Sequence, residues 1–292
     1  MERFFSLFMR NWGKLGALLE LGRPWNGMVT GLFALLGVYI AGGSVSFLSG
    51  VIIFTIFTFA YMGGATLNDI YDEQIDKINM PYRPLEESRI SKNASWVYSA
   101  ILHVASLSIA ALISLDMIFF VGLFLVFSFF YSMPPIFLSR RGIVAQLDLS
   151  LVAFLIPSYA GIVYATGSYT LSRNLVFFML SMFSLFVFIF FLKDFKDVKG
   201  DQRWGKLTPV VRYGRENVRK GLIAGTVMSY IFTIYNFSRL SDIRMLSLLL
   251  FAVLFAALII TESRIIKDPE RYFGIGRIIL LFVVLTMFSN LI

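Results

Sequence analysis

Nine apolar runs constrain this chain more than any other feature, and most are about as long as the roughly 20 residues a membrane-spanning helix needs. They lie near 24–42, 47–67, 95–114, 117–138, 143–166, 172–192, 217–236, 245–262 and 275–291. In hydrocarbon every backbone N–H and C=O must find its partner within the protein, so an open sheet is excluded and the runs read as helices. The expected fold class is all-α: a polytopic membrane protein of nine transmembrane helices, one domain over 1–292, with no internal repeat. A mean hydropathy of +0.76 and a charged fraction of 15% agree, because soluble domains carry about 25% charged residues. The lipid bilayer is therefore the first partner. Residues 1–23 mix Phe4, Phe5, Phe8, Trp12 and Leu15 with Arg3, Arg10, Lys14 and Arg23. That pattern fits an amphipathic surface helix better than a signal peptide.

The net charge of +8 is arranged as loops, not as a nucleic-acid surface. If the nine runs alternate in direction, 23 of the 26 Lys and Arg fall on one side and three (Arg173, Arg239 and Arg244) on the other. Excess basic charge marks cytoplasmic loops. The reading is an integral protein of the cell membrane, with its N-terminus and basic loops in the cytoplasm and its C-terminus outside. Two loops on the basic side, 68–94 and 193–220, are long, and loops longer than about 12–15 residues are usually functional or disordered. Their Asp, Arg, Tyr and Pro content suggests ordered lids. There is no cysteine and only one histidine, His103, inside an apolar run. Thiolate chemistry is thereby excluded, a histidine-based metal site or catalytic triad has very little support, and His103 reads as a polar contact between helices.

Each long loop opens with acidic residues. Asn68, Asp72 and Asp76 are four apart, so on a helix they share a face. Like charges stacked in this way are unfavourable unless a cation lies among them. Asp194, Asp197 and Asp201 repeat the arrangement after another apolar run. Oxygen ligands without His or Cys select hard cations, chiefly Mg²⁺, which binds a few carboxylates and completes its shell with water and substrate phosphate. Two facing clusters would clamp a diphosphate, with Arg23, Lys77, Arg83, Lys193, Lys196 and Lys199 close in sequence. No Walker-type glycine loop offers another cradle. Phe, Tyr and Trp make up 16% of the chain, and aromatic faces steady carbocations. Diphosphate at the mouth of an aromatic cavity suits an isoprenyl diphosphate donor. Asp148, about six residues into the fifth run near Gln146, is a carboxylate at membrane depth and a functional candidate by default. It would deprotonate or orient the acceptor, or pair with a nearby Arg.

These motifs together resemble the UbiA superfamily of intramembrane prenyltransferases. The residues that carry the resemblance are Arg23-Pro24-Trp25-Asn26, the Asn68-Asp69…Asp72…Asp76 cluster, Asn79-Met80-Pro81-Tyr82-Arg83-Pro84-Leu85, Tyr131-Ser132-Met133-Pro134-Pro135, Asp194…Asp197…Gly200-Asp201, and Gly205…Thr208-Pro209 with Gly214. The chain departs from the family pattern at Glu86-Glu87, and has Ser139-Arg140-Arg141 where the family often has Lys. The resemblance implies helices around a central, lipid-open cavity capped by cytoplasmic loops, with Mg²⁺ and prenyl diphosphate at its cytoplasmic end. By position it implies metal ligands at Asn68, Asp72, Asp76, Asp194, Asp197 and Asp201. Arg23, Asn68, Arg83 and Lys193 become diphosphate contacts, and Tyr131 lies by the reacting carbon. Asp72, Asp197, Tyr131 and Asp148 are the candidate catalytic residues. The expected reaction is Mg²⁺-dependent transfer of a prenyl group, such as geranylgeranyl, to an aromatic or lipid acceptor, with release of pyrophosphate. The alternative is a cation-coupled secondary transporter built on the same Asp residues. A headgroup alcohol phosphotransferase is disfavoured, since its compact motif with Asp-Gly and Ala-Arg elements is absent.

Overall fold

A computed structural model of the protein describes residues 9–237. Its elements are α1 (Gly13–Gly22), α2 (Pro24–Ile40), α3 (Phe47–Asn79), α4 (Lys92–Ala111), α5 (Leu115–Ser132), α6 (Ile143–Ser150), α7 (Ile156–Thr166), α8 (Arg173–Phe190), α9 (Val198–Arg203), α10 (Pro209–Tyr213) and α11 (Arg215–Phe237). A π turn, Leu151–Leu155, joins α6 to α7 as one span, and a 3₁₀ turn, Phe191–Phe195, prolongs α8. Among the described residues there is no strand beyond an isolated bridge between Arg141 and Leu207. Seven of the nine expected runs are thus helices; those at 245–262 and 275–291 lie outside the described residues. Among the described residues, five spans are long and apolar enough to cross a membrane, and the protein is an integral membrane protein by that measure.

Helix ends follow local chemistry. Ser46, Ser91, Ser114 and Ser172 each cap a helix N-terminus by accepting a backbone N–H three residues on, satisfying a donor the helix leaves open. α5 stops at Ser132, before Pro134-Pro135, because proline disfavours a helical residue ahead of it. The run expected over 117–138 is shorter for that reason.

The largest difference from the expected layout is α3. The apolar run ends at Leu67, but the helix continues to Asn79 and carries the first acidic cluster with it. At 33 residues and 1.5 Å per residue it is about 50 Å long, well beyond a hydrocarbon core of about 30 Å. The connection therefore shrinks to residues 80–91. Loop 193–220 likewise contains α9, α10 and the start of α11.

α4 shows how the helices sort their faces. Val97, Ile101 and Val104 point outward and are exposed, while Ser95, Ser99, Ser106 and Ala110 are buried. Ser99 donates to the Gly63 carbonyl and Ser106 to the Ile56 carbonyl on α3, both at 2.9 Å. Small residues and hydroxyls at the contact, with apolar groups toward lipid, are the usual membrane arrangement. His103 departs from expectation. Its Nε2 is buried without a partner, and the ring fills the space over Gly63 and packs edge-on to Phe129 at 5.3 Å. Among the described residues it makes no polar contact and serves packing.

α2 lies directly on α7. A Cβ on Gly37 would strike the Ser158 carbonyl, and one on Gly161 the Ala34 carbonyl. Below this seam Phe33, Phe154 and Phe186 form a ring cluster with centroids 5.0–5.2 Å apart. α1, expected at the membrane surface, buries Ala17 and Leu21 against Ile70, Leu85 and Ile90 while Trp12 and Leu15 stay exposed. It docks on the end of α3 and the connection that follows.

Candidate active site

The protruding end of α3 and the segment after α8 face one another across a cavity of about 170 Å³. The eleven candidate site residues border it: Arg23, Asn68, Asp72, Asp76, Arg83, Tyr131, Asp148, Lys193, Asp194, Asp197 and Asp201. Of the other basic residues beside the clusters, Lys196 also lines it, whereas Lys77, which pairs with Glu73, and Lys199 do not. The cavity turns apolar toward Phe124, Val152 and Phe190.

Asn68, Asp72, Asp76 and Asn79 form one stripe on α3, following the i, i+4, i+8, i+11 rule of a helix face. Asn79 ties this stripe to α9: its Oδ1 accepts from the Gly200 N–H at 2.7 Å and its Nδ2 donates to Asp201 at 3.3 Å. Asn79 was missed as a site residue, although its position on the stripe could have revealed it. The 3₁₀ turn after α8 presents Asp194, which accepts from Gln146 of α6 at 2.6 Å.

Charge in the cavity is balanced by the chain's own cations. Arg23 pairs with Asp69, and Arg83 with Asp69 and Asp76. Arg23 is in the left-handed region with φ +50°, uncommon for a non-glycine residue, and Pro24 opens α2 right after it. This tight corner between α1 and α2 aims the guanidinium at α3. Asp69 lies off the main stripe but is only 2% exposed and receives both arginines, so it anchors them. Lys206, which the sequence reading passed over, donates to Asp72 Oδ2 at 2.6 Å, beside Asn68 Nδ2 at 3.2 Å. Burial alone would push the Lys206 amine down, but Asp72 holds it well above the usual lysine range. Nothing local in the sequence signals it, because Lys206 reaches Asp72 from a turn 134 positions away. Lys193 donates to the Tyr131 hydroxyl at 2.5 Å and lies 5.2 Å from its ring centre.

Among the described residues, no three acidic or histidine side chains already converge on one metal position. Lys206 and Arg83 lie on Asp72 and Asp76 instead. The donor set nevertheless fits a hard dication. All its ligating atoms are oxygens, Asp197 Oδ1 is buried with no partner, and burial, opposed by Lys206 and reinforced by Asp197 and Asp194, pushes Asp201 up to about 7. Carboxylates crowded this closely are short of positive charge.

Comparison with known proteins agrees with this geometry. A sequence model described as the UbiA prenyltransferase family matches residues 29–285. The digeranylgeranylglyceryl phosphate synthase of Thermococcus gammatolerans is 31% identical over 205 residues, 69% of this chain and 71% of its own. The bacteriochlorophyll synthase 34 kDa chain of Chloroflexus aurantiacus is 28% identical over 260 residues, 88% of this chain and 76% of its own. In fold, a UbiA homologue from Archaeoglobus fulgidus solved with GPP and Mg²⁺ aligns with a TM-score of 0.77 at 20% identity, covering 94% of this chain and 98% of that one. The protein is therefore an intramembrane enzyme of the prenyl-transferring class. The chain belongs to the UbiA prenyltransferase family.

Proposed function

We propose that the protein transfers a prenyl group from an isoprenyl diphosphate to an acceptor within the membrane, releasing pyrophosphate, with Mg²⁺ as cofactor. The observation that carries this reading is the pair of acidic stripes facing each other across one cavity whose far end is apolar and aromatic. The relatives' names and the Archaeoglobus homologue's GPP and Mg²⁺ support it.

Asn68, Asp72 and Asp76 would hold one Mg²⁺, and Asp194, Asp197 and Asp201 a second. Bound there, the metal would neutralise charge on the departing diphosphate. The protein's cations do the rest at the same end. Arg23, Arg83 and Lys193 contact the diphosphate, and arginine's fork suits bidentate phosphate contacts. Anchoring of Arg23 and Arg83 by Asp69 fixes where they point. The Tyr131 ring, Phe124 and Phe190 line the path of the prenyl chain, and aromatic faces stabilise an allylic cation by roughly 0.5–2 kcal/mol per contact. An apolar wall also keeps water from the reacting carbon. By the charge of its loops this end of the bundle faces the cytoplasm.

A cation-coupled transporter is the weaker reading. Transporter sites lie near the midplane at broken helices, whereas these carboxylates gather where α3 and α8 end.

Turnover tests the assignment. Asp72→Ala and Asp197→Ala should each lower prenyl transfer per folded molecule by at least about 100-fold, and Asp72→Ala, which leaves buried Lys206 without its partner, should also be less stable. Rates like wild type in both variants would overturn the metal assignment.

A further inference from the structure

Lys206 differs from the other cations of the cavity in what holds it. Arg23 and Arg83 are held by Asp69, and Lys193 by Tyr131, groups outside the proposed metal set. Lys206 is held by Asp72, inside that set. Its Nζ donates to Oδ2 at 2.6 Å, and the two side chains are only 12% and 5% exposed. It comes from the turn between α9 and α10, where Gly205 has φ +67°. The Lys206 N–H donates to the Asp201 carbonyl at 2.8 Å, and the Thr208 N–H to the Lys206 carbonyl at 2.9 Å, which fixes the corner. Trp204 and Leu207 on the same turn are about half exposed, whereas Lys206 turns inward and lines the cavity. Asp201 of the second stripe and Tyr131 are close enough to act on its charge. The ammonium thus stands between Asp72 of one acidic stripe and Asp201 of the other.

Asp72 cannot serve an ammonium and a dication at once. Mg²⁺ draws its oxygen ligands to about 2.0–2.1 Å in a near-octahedral shell, and at such range it repels a second cation on the same carboxylate. A displaced lysine has three donors and no acceptor of its own, and a buried charge without a partner is strongly unfavourable. Metal alone therefore replaces one cation with another and strands Lys206. Metal arriving with a diphosphate does not, because the diphosphate oxygens give the ammonium new acceptors. We propose that Lys206 is an exchangeable counter-ion: it holds Asp72 before the donor binds, yields it to Mg²⁺ when the donor arrives, and transfers to the diphosphate. Metal and donor then bind together, and binding of metal alone is disfavoured. This rests on the prenyl-transfer reading above.

The test measures binding to the full chain in nanodiscs. Mn²⁺, followed by electron paramagnetic resonance, probes the metal positions, and a non-reacting geranylgeranyl diphosphate thio-analogue stands for the donor. In wild type Mn²⁺ alone should bind weakly, and the analogue should tighten it by about 10-fold or more, within the ~5–150-fold usual for coupled sites. Lys206→Met should bind Mn²⁺ alone at least about 10-fold more tightly than wild type and, at saturating Mn²⁺, hold the analogue more weakly. Lys206→Arg, which keeps the charge, should return Mn²⁺ alone to weak binding. A merely structural ion pair would leave Lys206→Met less stable with no gain in metal affinity, and that result would overturn the proposal. So would wild-type Mn²⁺ binding that the analogue does not change. Analogue binding that needs Mn²⁺ in wild type, with no gain in the variant, would overturn it while sparing the donor reading; a wild type that binds no analogue would overturn both. Should Lys206→Met not fold, Lys206→Gln, whose amide still donates to Asp72, takes its place with the same expectations.

Discussion

Glu86 shows how one side chain can carry a fault line in stability. It follows the Arg83-Pro84-Leu85 segment, and both its oxygens are buried without partners. Burial, with Asp76 adding to it, pushes its carboxyl from an ordinary 4.5 up to about 8. The folded state then keeps a proton that the unfolded chain has already released. Stability should therefore fall as pH rises from about 4.5 to about 8 and level off above. Glu86→Gln removes this loss. At pH 8 in metal-free detergent solution its Tm should exceed wild type by about 2–4 °C, with the gap closing by pH 5; a gap that does not depend on pH would contradict the account. Lys206 makes the opposite case. Removing one partner of a buried ion pair costs about 3–5 kcal/mol, and Asp72 would be left bare in Lys206→Met. If Lys206 lies on Asp72 as a substitute for metal, added Mg²⁺ should stabilise this variant more than wild type. Thermal unfolding with and without Mg²⁺ measures the difference, and equal metal responses would count against that role.

At the scale of elements, the helices could be read from hydropathy but their ends could not. The expected loop at 68–94 is largely helix, because α3 runs on through Asn68, Asp72 and Asp76 once α1, Arg23 and Arg83 cover its polar extension. Tertiary partners, absent from any local window, keep it helical. The site was legible to the extent that it was periodic: the Asn68–Asp72–Asp76 stripe and the second acidic cluster both border the cavity as expected. Gln146, Lys206 and the anchoring role of Asp69 depend on contacts 48, 134 and 46 positions apart, and spacing along a chain carries no such information. The π turn after Asp148 likewise has no local signature. The contact of α2 with α7 makes its own prediction. Gly161→Ala pushes a methyl into the Ala34 carbonyl. Overpacking of this kind costs about 1–3 kcal/mol, so Tm should fall by several degrees; an unchanged Tm would mean the two helices separate freely.

Over the described residues, the molecule is a bundle with apolar side chains exposed along its sides and its buried acidic side chains gathered around one cavity. The exposed stripe of Val97, Ile101 and Val104 and the buried Asp69, Asp72, Asp194 and Asp201 are two sides of that design. The same end holds Arg23, Arg83, Lys193 and Lys206, so the acidic stripes and their counter-charges meet at one cavity, where the proposed donor and metal would bind. The central claim is that the two acidic stripes act with Mg²⁺ as one donor site. Its most direct test is binding of a geranylgeranyl diphosphate thio-analogue to purified protein, with and without Mg²⁺, in wild type and Asp72→Ala. The account predicts tight binding that requires Mg²⁺ and is lost in the variant. Binding indifferent to metal and to Asp72, or no binding at all, would contradict it.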